Sequence, residues 1–209
     1  MSSTATAAKL RRVSLPEKAG LPLATKPLAD SDAEFEPMVW LVGAHGGAGV
    51  TSLSKVLAPC GDAGQQWPDQ DESPWCVIVA RATRTGVEAA HDVALQAQVG
   101  KNGRCRVIGV ILVADAPGKT PKAVEQRATV IGKVVPNIWH VPYFSEWCEV
   151  LTSELPEWSP LEDDDDAADE NRRFGRRKKG PSAVEVVPKN LRLVGWEIVD
   201  RVREAHAHL

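Results

Sequence analysis

The sequence lacks the features that mark membrane-embedded and secreted proteins. Its longest apolar run, Val107–Ala114, is far shorter than a helix needs to cross a hydrocarbon layer of about 30 Å. Residues 1–12 contain Ser, Thr, Ala and basic residues but no apolar segment of the kind that a secretory signal carries. We therefore expect a cytoplasmic protein with no membrane span.

Cys-x-x-Cys pairs are also absent, and the net charge is small. The chain has 25 Lys+Arg residues against 28 Asp+Glu and a net charge of −3, which excludes a surface adapted throughout to nucleic acid or anionic lipid. Its cysteines are scattered and form no Cys-x-x-Cys pair, which argues against a zinc site and a disulfide framework. They are Cys60, Cys76, Cys105 and Cys148.

The residues that are present predict one domain with appendages. Hydrophobic residues make up 43% of the 209 residues, enough for a core in a single domain. Residues 1–37 hold four prolines and five residues of each charge in no periodic arrangement, so we predict a disordered tail. In residues 38–150, apolar runs alternate with turn residues and helix-like stretches. These residues are predicted to form the domain.

The domain shows the alternation typical of a parallel α/β fold. Continuous apolar runs, most of them followed by turn residues and a helix-like stretch, indicate strands covered on both faces. These runs are Met38–Val42, Cys76–Ala80, Val107–Ala114 and Ile138–Val141. We predict a small Rossmann-like, three-layer domain with roughly three to five mostly parallel strands. The stretch between Cys60 and Trp75 is too polar for a core element and is predicted to be a loop or a lid.

Helices are predicted where apolar residues recur at helical spacing. The two stripes in the domain are Val87, Ala90, Ala94 and Ala97, then Val124, Ala128, Ile131 and Val135. Residues 151–188 contain an acidic run followed by the basic run Arg172–Lys179 and are predicted to be a charged flexible linker. Residues 189–207 are predicted to form an amphipathic helix that docks on the sheet, with a partner-binding helix as the alternative.

The most informative segment is the glycine-rich turn after the first predicted strand. Gly46, Gly47 and Gly49 fall within four residues, directly before a predicted helix start. Glycines let backbone N–H groups converge without Cβ clashes, and a helix N-terminus adds positive potential. The segment therefore predicts a cradle for phosphate, with a chance glycine-rich turn as the alternative.

The segment His45–Thr51 resembles the deviant Walker A loop of ParA/MinD-type P-loop NTPases (SIMIBI class), whose pattern is Lys-Gly-Gly-x-Gly-Lys-Thr. The glycines and Thr51 match, whereas His45 and Val50 replace the two lysines. The resemblance implies a degenerate P-loop domain that binds ATP or another nucleotide with Mg²⁺, and it implies Thr51 as a magnesium ligand. The phosphate-binding residues that it implies are Gly46, Gly47, Ala48, Gly49, Val50, Thr51 and Ser52.

The two missing lysines bear on activity. A lost charge-assisted hydrogen bond is worth about 1.5–3 kcal/mol, so Val50 predicts phosphate binding weakened about tenfold or more and no efficient ATP hydrolysis. We interpret His45 as a turn residue, with a pH-sensitive role as the alternative. Arg81, Arg84 and Lys119 are candidates for supplying the missing charge, and an ordinary solvent-facing side chain is the alternative for each.

Asp115 is a second candidate metal ligand. It follows the run Val107–Ala114 and forms Asp-x-x-Gly with Gly118, similar to the Walker B motif on the magnesium side of P-loop proteins. The order of elements looks more like the late, base-recognition strand of the ParA/MinD family, and a turn residue that caps the next helix is a third interpretation. In each case Asp115 is predicted at the ligand edge of the sheet.

A different register of the same loop predicts a dinucleotide site. Ala44–Gly49 matches Gly-x-Gly-x-x-Gly at its second and third glycines. Such a site needs an acidic residue about 20 residues further on, at the end of a second strand. Asp62, Asp69 and Asp71 all fall in the predicted polar loop, so this interpretation ranks second.

Three function hypotheses follow. The first, which the resemblance implies, is a weak or non-hydrolysing nucleotide binder that acts as a regulatory or scaffolding component in DNA partitioning, conjugation or positioning. It implies a homodimer, and we expect an unknown protein partner; Arg172–Lys179 is the candidate contact for nucleic acid. The second is a nucleotide- or dinucleotide-dependent enzyme that uses the glycine-rich loop. The third is a protein-interaction module with a vestigial loop.

Overall fold

The structure, a computed structural model, describes residues 20–29, 36–160 and 181–207. They form a five-stranded parallel sheet and four α-helices. The strands are β1 (Val39–Gly43), β2 (Cys60–Asp62), β3 (Trp75–Arg81), β4 (Arg106–Val113) and β5 (Ile138–Val141). The helices are α1 (Val50–Val56), α2 (Arg84–Gln98), α3 (Lys122–Ile131) and α4 (Lys189–Ala207).

The strand order is β2-β1-β3-β4-β5, and every pairing is parallel. This is the 2-1-3-4-5 order of one of the two common doubly wound α/β architectures. The predicted α/β class with a parallel sheet is confirmed, and the four apolar runs correspond to β1, β3, β4 and β5.

Helices cover both faces of the sheet, which explains the continuous apolar runs. One core cluster joins Val39 and Leu41 of β1 to α1 and α4, whereas the other joins Trp40 and Val42 to α2 and α3. Because successive side chains in a strand point to opposite faces, a central strand needs apolar residues at every position. All five residues of β1 are buried.

The prediction of a loop between Cys60 and Trp75 is wrong in part, because this stretch contains β2. The strand pairs Val39 with Cys60 and Leu41 with Asp62. At Gly61 a β-carbon would lie 2.6 Å from the Trp40 ring, so the close approach requires glycine. A short edge strand made of Cys, Gly and Asp has no apolar run, which is why its sequence does not reveal it.

The prediction of a disordered tail over residues 1–37 is wrong for residues 20–29. There Leu23 forms a parallel bridge with Trp67, which is completely buried. The Gln96 side chain accepts a hydrogen bond from the Leu21 N–H and donates one to the Leu21 carbonyl, both at 2.8 Å. Side chains of the domain thus satisfy the backbone of this segment, which its own composition cannot indicate. The rest of the predicted tail up to residue 35 lies outside the described residues.

The predicted linker over residues 151–188 is also wrong at its two ends. Residues 151–160 and 181–188 pack on the domain, and they contribute three buried side chains to the core: Leu155, Trp158 and Val187. The segment between them, which includes Arg172–Lys179, lies outside the described residues.

The C-terminal helix α4 docks on the sheet, as the first of the two alternatives had it. Trp139 of β5 donates a hydrogen bond of 2.7 Å from Nε1 to Glu197. A β-carbon at Gly195 would lie 2.6 Å from the Trp158 ring, so glycine lets the helix approach closely. No helix among the described residues combines the length and apolar character that spanning a bilayer requires.

Candidate functional site

The glycine-rich turn lies where the chain changes direction across the sheet. From β1 the chain crosses through α1 to β2 on one side, and from β3 it crosses through α2 to β4 on the other. The two crossover helices pack on opposite faces, so β1 and β3 flank a topological switch point. In doubly wound sheets the ligand crevice lies beyond the carboxyl ends of the strands at this point. The turn follows β1, and Arg81 ends β3 at the same edge.

Two glycines give the turn its shape. Gly47 and Gly49 have φ values of 73° and 101°, a region that other residues rarely adopt. Ala48 is buried, whereas Gly46 and Gly47 are exposed. The turn is therefore anchored by an alanine and presents glycine backbone to solvent.

The start of α1 adds unpaired donors to the turn. A helix leaves its first N–H groups without an acceptor inside the helix. Here the N–H groups of Gly49, Val50, Thr51 and Ser52 donate to no other group among the described residues. No acidic residue lies in the first turn of the helix.

Val50, at the position of the missing lysine, belongs to the core. Its side chain is 7% exposed and packs with the cluster between the sheet, α1 and α4. A β-carbon at Gly43 would lie 3.1 Å from Val50 Cγ2, so the valine turns back towards β1. Position 50 therefore brings no charge to the turn.

His45, at the position of the other lysine, ties the turn to β3. Its Nε2 accepts a hydrogen bond of 3.0 Å from the backbone N–H of Arg81. The ring proton therefore sits on Nδ1, which donates to the Gly46 carbonyl at 2.9 Å. The ring also lies against α2, because a β-carbon at Gly86 would be 3.0 Å from Nε2. This arrangement matches a turn residue, and the imidazole does not extend from the turn as a lysine would.

Arg81 brings a permanent positive charge to the turn. Its Nε donates to the Gly47 carbonyl at 2.9 Å, and its Nη1 donates to the Ala114 carbonyl at 3.3 Å. A guanidinium has five N–H donors, and these two bonds use two of them. The others have no acceptor among the described residues. A half-buried arginine with spare donors therefore connects the turn to the end of β4.

Arg84 and Lys119 form no hydrogen bond with the turn among the described residues. Arg84 pairs with Glu88 at 2.7 Å on the exposed face of α2, and this hydrogen bond and charge lower the pKa of Glu88. Lys119 is exposed in the turn after β4 and contacts no charged group in the described part of the chain. Of the three candidate cations, only Arg81 contacts the glycine-rich turn.

Asp115 follows β4, which is separated from β1 by β3. It is exposed, and its charge acts on the pKa of Tyr143 in the direction opposite to the charge of Arg81. The pKa of Tyr143 is raised first by its hydrogen bond with Cys148, 3.3 Å away, and the Asp115 charge adds a smaller effect. Asp115 therefore lies at the end of β4, one residue after the carbonyl that Arg81 joins to the glycine-rich turn.

A cleft of about 370 Å³ opens on the other side of the turn, between α1, β2 and a short 3-10 helix at Thr152–Glu154. Its lining residues are Thr51, Ser54, Lys55, Cys60, Asp62, Thr152 and Ser153. The sequence analysis set Asp62 aside as part of a polar loop, because β2 was not recognised, whereas the structure places it at the end of β2 and in this cleft. One Asp62 oxygen accepts a hydrogen bond of 2.7 Å from the Gly64 N–H, and the side chain is exposed.

The protein has a doubly wound α/β fold. At its topological switch point lies a glycine-rich turn that the Arg81 guanidinium contacts. The family described as "Family of unknown function (DUF6668)" matches residues 37–158, more than half of the chain, and the chain belongs to this family. The match spans all five strands and α1 to α3. No curated protein matches the chain. Within the described ranges, no three His, Cys, Asp or Glu residues form a group that could hold a metal ion.

Proposed function

We propose that this chain is a degenerate, ParA/MinD-like P-loop protein that binds the phosphates of a nucleotide at His45–Ser52 without efficient hydrolysis. It acts as a regulatory or scaffolding component, of the DNA-partitioning, conjugation or positioning type, with a protein partner. The observation that carries the proposal is the Arg81 guanidinium, held against the glycine-rich turn with donors to spare.

The turn offers an anion three kinds of interaction. Exposed glycines allow close approach of a phosphate to the backbone, and the unpaired N–H groups at the start of α1 point their dipoles towards it. Arg81 adds a full charge in the planar geometry that suits phosphate oxygens. These features support binding of a phosphate group by a chain that lacks both Walker A lysines.

Efficient hydrolysis is not part of the proposal. The valine at position 50 is packed in the core, and the Arg81 guanidinium is engaged with two carbonyls. Phosphoryl transfer depends on charges placed around the transferring group, and one lost charge-assisted hydrogen bond costs about 1.5–3 kcal/mol. The site therefore favours binding over turnover.

Magnesium would be held by Thr51 and Asp62 instead of Thr51 and Asp115. A hydroxyl and a carboxylate are ligands of the type that Mg²⁺ prefers, and both line one cleft. Asp115 follows the Ala114 carbonyl that Arg81 joins to the turn, but it is not among the residues that line this cleft. Bound Mg²⁺ would neutralise phosphate charge next to the turn.

A dinucleotide-dependent function is the second candidate, and β2 favours it. Asp62 ends the strand that neighbours β1 and follows α1. This is the position from which an acidic residue hydrogen-bonds the ribose hydroxyls in a dinucleotide site. The departure from that pattern is Ala44, which stands at the first glycine position.

Calorimetric titration of the full chain with ATP, ADP, GTP and NAD, with and without Mg²⁺, tests the proposal. We expect binding that Gly49→Glu abolishes. Gly118→Glu is the matched control, because Gly118 also has a φ of 101° but lies in an exposed turn. Preference for NAD without Mg²⁺ would favour the dinucleotide candidate. Absence of binding up to millimolar ligand would overturn both and leave the interaction module with a vestigial loop.

A further inference from the structure

Two side chains hold consecutive carbonyl groups of the glycine-rich turn. The His45 ring donates from Nδ1 to the Gly46 carbonyl at 2.9 Å, and Arg81 donates from Nε to the Gly47 carbonyl at 2.9 Å. The ring is itself fixed to β3, because its Nε2 accepts the backbone N–H of Arg81 at 3.0 Å. Both carbonyls are therefore connected to the end of β3, one of them through the imidazole.

The two fixed carbonyls set the direction of the N–H groups that follow them. The peptide bonds of the described residues are trans, and in a planar trans peptide the C=O and the N–H point in opposite directions. The N–H of Gly47 therefore points away from the imidazole, and the N–H of Ala48 points away from the guanidinium. Neither N–H donates to another group among the described residues. Together with the unpaired N–H groups at the start of α1, they form a row of donors for an anion that reaches from Gly47 to Ser52.

The connection through the ring requires a neutral imidazole. An imidazolium carries a proton on both ring nitrogens and accepts a hydrogen bond at neither. Protonation would therefore turn a second N–H towards the Arg81 N–H and leave that donor without its acceptor. A lysine at position 45 has the same defect, because an ammonium group only donates.

The surroundings of the ring contain no carboxylate that hydrogen-bonds to it. Both hydrogen bonds of the ring in the described part of the chain go to backbone groups. From β3 the ring meets Arg81, and from α2 it meets the backbone at Gly86, where a β-carbon would lie 3.0 Å from Nε2. The other charged side chains at the nearby ends of α2 and β4 form no hydrogen bond with the ring, and these are Arg84, Glu88 and Asp115.

We infer that His45 is a positioning residue for anion binding, and that its neutral ring holds the peptide units of the turn in the orientation that receives a phosphate. The inference rests on phosphate binding at the turn and adds the regulation of that site. The turn binds phosphate tightly while the imidazole is neutral and loses affinity as the ring is protonated. A lysine at position 45 weakens the site, although it restores a residue of the Walker A pattern.

The first test is calorimetric titration of the full chain with inorganic pyrophosphate at about pH 8, where an ordinary histidine is neutral. We expect His45→Lys to bind about tenfold more weakly, because the Arg81 N–H loses its acceptor. His45→Gln supplies a neutral carbonyl acceptor and should stay within about threefold of the wild type. His140→Lys is the matched control, because it makes the same replacement at an exposed position on β5, and it should leave the affinity unchanged.

The pH profile separates positioning from a merely structural role. Wild type and His45→Gln are titrated with pyrophosphate from about pH 8 to about pH 5.5, so that protonation of the ligand affects both equally. We expect the ratio of wild-type to His45→Gln affinity to fall about fivefold as the pH falls, since only the wild type loses its acceptor. This comparison needs no lysine variant and stands if that variant does not fold.

The outcomes distinguish the inference from the proposed function. A constant ratio across the pH range overturns the inference while phosphate binding stands. Equal or tighter pyrophosphate binding by His45→Lys also overturns it. Failure of the wild type to bind pyrophosphate at either end of the range overturns the proposed function and the inference with it.

Discussion

Two turns at the same edge of the sheet differ sharply, although each follows a buried parallel strand and each contains a glycine with a φ of 101°. In the turn after β1, Ala44 and Ala48 are buried and the Arg81 side chain contacts the backbone. In the turn after β4, every residue from Asp115 to Lys119 is exposed. The difference teaches that glycine geometry alone does not make a site. A turn becomes a candidate site when core packing anchors it and a charge is held against it.

The largest effect should come from placing a charge in the anchored turn. Ala48→Asp buries an unpaired carboxylate at a position 2% exposed, and we expect it to lower the free energy of unfolding by about 3 kcal/mol or more. Ala116→Asp in the exposed turn should stay within about 0.5 kcal/mol of the wild type. Urea denaturation measures both. Equal destabilisation by the two changes would remove the distinction between the turns.

The next effect concerns the charge at the turn. Arg81→Met removes the guanidinium that contacts Gly47, and we expect affinity for inorganic pyrophosphate to fall about tenfold or more. Arg84→Met is the control, since its partner is Glu88 on α2, and it should leave the affinity unchanged. Calorimetry provides the two dissociation constants. A similar loss for both variants would mean that overall charge, and not Arg81, attracts the anion.

Matched glycine replacements separate backbone strain from binding. Gly49→Ala and Gly118→Ala place a β-carbon at the same positive φ, so each should cost about 1–2 kcal/mol of stability. Only Gly49→Ala should also weaken pyrophosphate binding, because Gly49 belongs to the anchored turn. Thermal unfolding and calorimetry of both variants check the two parts. Weaker pyrophosphate binding by Gly118→Ala would place the anion nearer to β4.

The smallest effect should be the metal dependence of ATP binding. If Thr51 and Asp62 hold Mg²⁺, adding the ion should tighten ATP binding a few-fold, about 1 kcal/mol or less for a weakly held hydrated ion. Asp62→Asn should remove this gain and Asp115→Asn should keep it. Titrations in Mg²⁺ and in EDTA distinguish the two carboxylates. Loss of the gain in Asp115→Asn alone would restore Asp115 as the metal ligand.

Much of the fold could be predicted because long buried strands leave a strong local signal. β4 has eight residues and β3 has seven, nearly all buried, and their apolar runs are continuous in the sequence. β2 has three residues, among them Gly61 and Asp62, and no local pattern marks it. Its existence depends on pairing with β1, a contact between segments far apart in the chain. Asp62 lies at about the expected distance along the chain from the glycines, but it was set aside as a loop residue because β2 was not recognised.

The amino-acid sequence by itself determined the parallel α/β class, the strand–glycine turn–helix unit at Val39–Val56 and the absence of lysine from the turn. These follow from local patterns and residue identities. Only the tertiary structure decided which cation meets the turn, since Arg81 and Arg84 are three residues apart and one contacts Gly47 while the other pairs with Glu88. It also decided that Asp62, and not Asp115, lines the cleft with Thr51. Such choices depend on strand order and helix packing, which bring distant segments together and leave no trace in any short stretch of sequence.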